Sequence, residues 1–219
     1  GASLFDEDGK PAMTDNAALK ECIDIYKTIV DEGIYLEVNK WDDYVTSITK
    51  GTVAGVINGN WIIATIQGME DTAGKWEITN MPKLIKTPNA TNYSNNGGSS
   101  WYITSNCKNK DLAIDFLKST FAGSVKLYEN ILPTTGAIGT YAPVADSTAY
   151  QEPQEFWNNQ PIFAKIVDFS LKTPTNNTSP YYYDGRNAIG TQIQNIMNGA
   201  DVDQAIADAQ AEVEFTMGE

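Results

Sequence analysis

The chain has 219 residues, 42% of them hydrophobic, and carries 15 Lys and Arg against 28 Asp and Glu, for a net charge of -13 with no histidine. That size supports one good core or two small lobes without a metal to hold them together, and the negative charge repels phosphate backbones and anionic headgroups, which argues against nucleic acid as a partner. Without histidine the commonest general base, the usual Ser and Cys triads and most zinc sites are gone, and no stretch approaches the roughly 20 apolar residues of a membrane span, so no cofactor, metal or direct membrane insertion is expected. Gly1-Ala2-Ser3-Leu4-Phe5 runs straight into Asp6-Glu7-Asp8-Gly9 with neither a basic nor an apolar leader region, so an export signal is expected upstream or already removed. Cys22 and Cys107 are expected as free thiols, because their neighbourhoods favour different elements.

In chain order, residues 14–33 read as a helix capped by Thr14 or Asp15, with Ala18, Cys22, Ile25 and Ile29 on its inner face and Gly33 at its end. A short helix follows from Asp42 or Asp43, turns Tyr44, Val45 and Ile48 inward and stops at Gly51. Thr52-Val53-Ala54-Gly55-Val56-Ile57 reads as a buried strand, and Asn58-Gly59-Asn60 as a turn into a helix beginning near Trp61. Trp76-Glu77-Ile78-Thr79 alternates like a strand, Lys83 to Ser100 is polar enough to be a loop, and Trp101-Tyr102-Ile103-Thr104 is a third expected strand.

Asn109 caps a helix whose Leu112, Phe116, Leu117 and Phe121 share a face. From Pro133 to Gln160 the composition predicts irregular chain with one short helix near Glu155 and Phe156. Pro161 opens a helix carrying Ile162, Lys165, Ile166 and Phe169 that Pro174 stops. Two helices close the chain: one with Ile189, Ile193, Ile196 and Met197 ending at Gly199, and one with a capping box of Asp201 and Gln204 that buries Val202, Ala205, Ile206, Ala209 and Val213. Helices with scattered strands indicate an α/β class.

Six pieces in order carry a resemblance: Trp41-Asp42-Asp43-Tyr44; Lys50-Gly51-Thr52-Val53-Ala54-Gly55-Val56-Ile57; Gly59-Asn60-Trp61; Asn96-Gly97-Gly98-Ser99-Ser100-Trp101; Asn109-Lys110-Asp111-Leu112-Ala113-Ile114-Asp115-Phe116-Leu117; and Ala205-Ile206-Ala207-Asp208-Ala209-Gln210. Together they resemble the family 1 extracellular solute-binding proteins of the maltose-binding type, especially the lipoprotein sugar receptors of Gram-positive bacteria. The resemblance implies a periplasmic-binding-protein-like type II clamp, with a carbohydrate, expected to be an oligosaccharide, captured in its cleft for an ABC importer and its permease. It also implies an extracytoplasmic site of action at the cell surface. Family members begin with a long stretch that builds most of lobe one, and nothing in this sequence matches it. Residues 1–92 are therefore expected to be the first part of lobe two, 93–130 the crossing loop with a lobe-one strand and helix, and 131–219 the return to lobe two. The lobe-one segment then needs a missing first lobe or a second chain to cover it.

Sugars present apolar C–H faces that stack on aromatic rings and hydroxyls that pair with planar polar side chains. Trp61, just after a glycine turn at a helix start, is the leading platform, with Asn60 beside it; a core Trp is the plainer reading. Asn96, Gly97, Gly98 and Ser99 offer close backbone approach and short polar groups without an adjoining cation, which suits a neutral polyol, although a simple hinge loop uses the same residues. Trp101 either lines the cleft or packs in its strand. Tyr182 and Tyr183 occupy the place where the family carries a stacking aromatic, and Trp41 with Asp43 forms another possible platform, against the readings of an amphipathic rim and of helix capping. Trp157 is expected in a core.

A carboxylate glycosidase is the enzyme alternative, and no acid-and-nucleophile motif supports it. Asp6, Asp8 and Gly9 resemble part of a calcium loop but lack its bidentate Glu, and a turn explains them. A stand-alone carbohydrate-binding module using the same aromatics remains the other alternative to a receptor.

Overall fold

The computed structural model describes residues 2–218, which divide into two units. The first contains the residues up to Glu37, Pro82–Asn92 and those from Pro174 onward; the second contains Val38–Met81 and Tyr93–Thr173.

The first unit is built on three helices, α1 (Ala17–Asp31), α8 (Tyr182–Met197) and α9 (Val202–Met217). Asn16 caps α1, its side chain accepting from the Leu19 N–H, where Thr14 or Asp15 is expected from sequence. Asp201 caps α9 by accepting from the Gln204 N–H at 2.9 Å, while the Gln204 amide turns forward to Asp208 and leaves the box half made. Ala205, Ile206, Ala209 and Val213 pack from α9 onto Ala188, Ile189 and Ile196 of α8 and onto Phe5, Met13 and Ile23. Each buried Ile, Val, Met or Phe side chain of this set contributes about 1.5–3 kcal/mol.

The inner face of α1 differs from expectation: Ile23 and Glu21 are buried, whereas Cys22 and Ile25 are exposed. The cause is a carboxylate with partners. Glu21 accepts from the backbone N–H groups of Ile85 and Lys86, at 2.8 and 2.9 Å, and from the Thr87 hydroxyl at 2.6 Å. A buried carboxylate satisfied this way can take a core position that an apolar residue would otherwise hold.

The second unit contains α2 (Trp41–Thr49), α3 (Ile63–Gln67), α4 (Lys110–Ser119), α5 (Val125–Thr135), α6 (Thr148–Gln151) and α7 (Ile162–Lys172). Its core joins Ile48, Ile62, Ile63, Ile66 and Met69 to Tyr128, Leu132, Val144, Tyr150, Trp157, Ile162 and Phe163. Trp157 is a core residue, as read. Helix α5 lies in a stretch to which the sequence reading assigns no element up to Pro133; Ser124 caps it through the Leu127 N–H, and Gly136 ends it in the left-handed region at φ 61°.

The three expected strands do not form a sheet. Among the described residues the β pairing consists of two isolated bridges, Phe5 with Pro11 and Gln154 with Gln160. The alternation itself survives: Trp76 and Ile78 are partly buried against the core, and Glu77 and Thr79 are exposed. What is missing is a partner strand, and side chains replace it. The Ile78 N–H donates to the Gln160 side chain at 2.7 Å, and the Ile78 carbonyl accepts from Lys165 Nζ at 2.5 Å. Thr52–Ile57 likewise has no ladder and is not the buried strand expected: it bends at Thr52 and Ala54, only Val53 and Val56 pack against the core, and Ile57 is exposed.

Helix α4 buries none of its residues, and Leu112, Ile114 and Phe116 are exposed. No helix of the described residues is long and apolar enough to cross a membrane.

Candidate functional site

The elements around Trp61 follow one another from local chemistry. Lys40 enters α2 in an extended conformation, and Asp42 and Asp43 occupy the first turn, where carboxylates favour the helix N-terminus. Trp41 and Tyr44, one turn apart, stack with ring centroids 5.4 Å apart. Gly51, at φ +66°, ends the helix and returns the chain along the core to Asn58. There Asn58 Oδ1 accepts from the Gly59 N–H at 2.7 Å, and the chain enters the 3-10 turn Asn60–Ile62. Ile62 and Ile63 go into the core, which leaves Trp61 on the outside, 47% exposed.

The outcome is a row of three rings. Trp61 meets Trp41 with centroids 5.6 Å apart and planes tilted by 43°, and Trp41 continues onto Tyr44. Amides border the row: Asn58 Nδ2 donates to the Tyr44 hydroxyl at 2.7 Å, and Asn96 Nδ2 donates to Asn58 Oδ1 at 3.2 Å. Asn60 Nδ2 donates to the Gly136 carbonyl at 3.2 Å, which ties the 3-10 turn to the end of α5. Half-exposed indoles beside fixed amides form a surface that can stack a flat apolar face and exchange hydrogen bonds at its edges.

The structure thus groups Trp41, Asn60, Trp61 and Asn96 of the sequence candidates. Asp43 is exposed in the first turn of α2. Gly97 and Gly98 adopt φ +96° and +134°, and they and Ser99 are exposed. Trp101 instead stacks on Phe121 at 4.7 Å. Tyr182 and Tyr183 belong to the first unit, in the opening turn of α8, with rings edge to face at 5.6 Å and both exposed. Two members of the grouping were absent from the sequence candidates. Tyr44 reads as an inward residue of its helix and Asn58 as a plain turn residue, and the link between them spans 14 positions that no local pattern marks.

Among the described residues no group of three or more His, Cys, Asp or Glu is placed to hold a metal ion. Asp6 spends its carboxylate on the N–H groups of Asp8 and Lys10, both at 2.9 Å, which makes a turn.

Residues 1–164 match the model of the bacterial extracellular solute-binding proteins. The chain belongs to that family. A lactose-binding protein of Rhizobium radiobacter is 34% identical over 206 residues, a match that covers 94% of this chain and 49% of the relative. The chain therefore spans about half the length of that relative. Family membership fits a periplasmic-binding-protein-like fold and a site of action outside the cytoplasm.

Proposed function

We propose that the chain binds a carbohydrate, with the row formed by Trp61, Trp41 and Tyr44 as its stacking surface and Asn58, Asn60 and Asn96 as its hydroxyl partners. The observation that carries this reading is the pair of tilted, half-exposed indoles bordered by amides. The lactose-binding relative supports the class of ligand. Two adjacent rings suit an oligosaccharide, since each can serve one sugar unit. Asn96, Gly97, Gly98 and Ser99 complete the polar side, and Tyr182 and Tyr183, exposed on the first unit, are a separate aromatic surface of the same chemical kind. The protein acts in capture and not in catalysis: it delivers its sugar to the permease of an ABC importer and is held at the cell surface by a lipid anchor. Its 93–130 segment belongs to the first lobe of the clamp, and the apolar face of α4 is covered by protein.

Isothermal titration against neutral mono- and oligosaccharides, with amino acids and citrate as controls, tests the reading. Saturable heat with a neutral sugar and none with the controls is expected. Binding of a charged control with no response to any sugar overturns it.

A further inference from the structure

Glycine is ordinarily used where the backbone needs a positive φ, and this chain does so at Gly51, Gly97 and Gly98, where a Cβ would meet nothing within 4 Å. Gly59 is different. Its φ of -73° and ψ of 163° lie in the extended region that any residue adopts. Space is what it lacks: a Cβ there would lie 2.5 Å from Trp61 Nε1, 2.8 Å from Trp61 Cδ1 and 3.1 Å from the Asn96 carbonyl oxygen. The pyrrole edge of the indole rests directly on the residue-59 backbone, with the Asn96 carbonyl closing the other side. Asn58 ties the same two segments together, since its Oδ1 takes both the Gly59 N–H and the Asn96 amide.

We infer that Gly59 is the positioning residue of this surface: the missing side chain seats Trp61 and sets the spacing and tilt of its indole against Trp41. The inference rests on the carbohydrate reading and deepens it toward selectivity. A ligand with two sugar rings can use both indoles only if their relative placement is fixed, whereas a monosaccharide needs one. A methyl group at position 59 displaces the Trp61 ring and not the fold, because the ring is half exposed while Ile62, Ile63 and Ile66 anchor the following turn in the core. Gly59 thus favours ligands of two or more units over single sugars.

The test compares Gly59→Ala with the unaltered chain by titration with lactose, galactose and glucose, by melting temperature, and by the exciton signal of coupled indoles in circular dichroism. Expected are an unchanged or slightly higher melting temperature, since Ala restricts the unfolded chain, a changed exciton signal, and lactose affinity lower by about tenfold with a smaller loss for the monosaccharides. If the unaltered chain binds no sugar, the carbohydrate reading fails. If it binds lactose and Gly59→Ala keeps both affinity and selectivity, the role of Gly59 fails while the carbohydrate reading stands. Should Gly59→Ala unfold, adding Trp61→Ala relieves the clash and restores the melting temperature of the Trp61→Ala chain; failure to do so puts the strain on the Asn96 backbone and overturns the inference.

Discussion

The second unit has two surfaces on which large apolar side chains remain open. At one, Trp41 and Trp61 are 53% and 47% exposed; at the other, Trp101, Leu112 and Phe116 are 67%, 69% and 56% exposed. Their surroundings differ. The first is bordered by side-chain amides, linked to Tyr44 by a hydrogen bond and seated on a bare glycine. The second is a helix face whose polar backbone groups are taken up within the helix, with Trp101 flat against Phe121. An apolar helix face suits burial by a protein surface, while rings with fixed amides at their edges suit a small polyol. What separates the two surfaces is therefore the polar border and not exposure, and the proposed sugar site rests on that border.

The largest separation of the two is expected from Trp61→Ala. Affinity for an oligosaccharide should fall by about tenfold or more, while stability measured by urea unfolding falls by no more than about 2–3 kcal/mol, because a half-exposed ring gives up about half the burial of a core one. A smaller effect follows from Leu112→Gln combined with Phe116→Gln. Sugar affinity should stay within about twofold, and self-association in sedimentation experiments should diminish as the apolar face shrinks. Loss of sugar binding in that variant would merge the two surfaces into one and break the comparison.

The smallest effect lies outside both surfaces, at Glu21. Burial works to raise its pKa, but the hydrogen bonds from Thr87, Lys86 and Ile85 outweigh it and hold the carboxyl below its ordinary value of 4.5. The folded state thus binds this proton less tightly than the unfolded chain does. The stabilisation is present above the unfolded pKa and is lost as pH falls through the folded one. Glu21→Gln should therefore melt lower than the unaltered chain at neutral pH, with the difference narrowing on acidification and sugar affinity unchanged. A gap that widens toward acid would reverse the assigned sign.

Strong helical periodicity was readable in the sequence, and α9 shows why: Ala205, Ile206, Ala209 and Val213 recur at the spacing that buries one face, and all four are buried. Cys22 and Ile25 follow a similar spacing on α1 yet are exposed, because the amides that make Glu21 a satisfied core residue lie 64 and 65 positions away. Alternation in Trp76–Thr79 correctly separates inward from outward side chains, but it carries no information about whether a partner strand exists. At the site, Trp61 after a glycine turn was legible from local chemistry. Its contact with Trp41 was not, since nothing near either residue records that a helix start and a turn 20 positions later meet.

The central claim concerns where a sugar would sit, and the five tryptophans of the chain give five indole N–H reporters. Nitrogen-15 labelled protein titrated with lactose and followed at its indole resonances reads them separately, even for a weak ligand. The resonances of Trp61 and Trp41 should move together along one saturable curve while Trp101 and Trp157 stay in place. Movement of Trp101 with Trp61 and Trp41 unchanged would contradict the account.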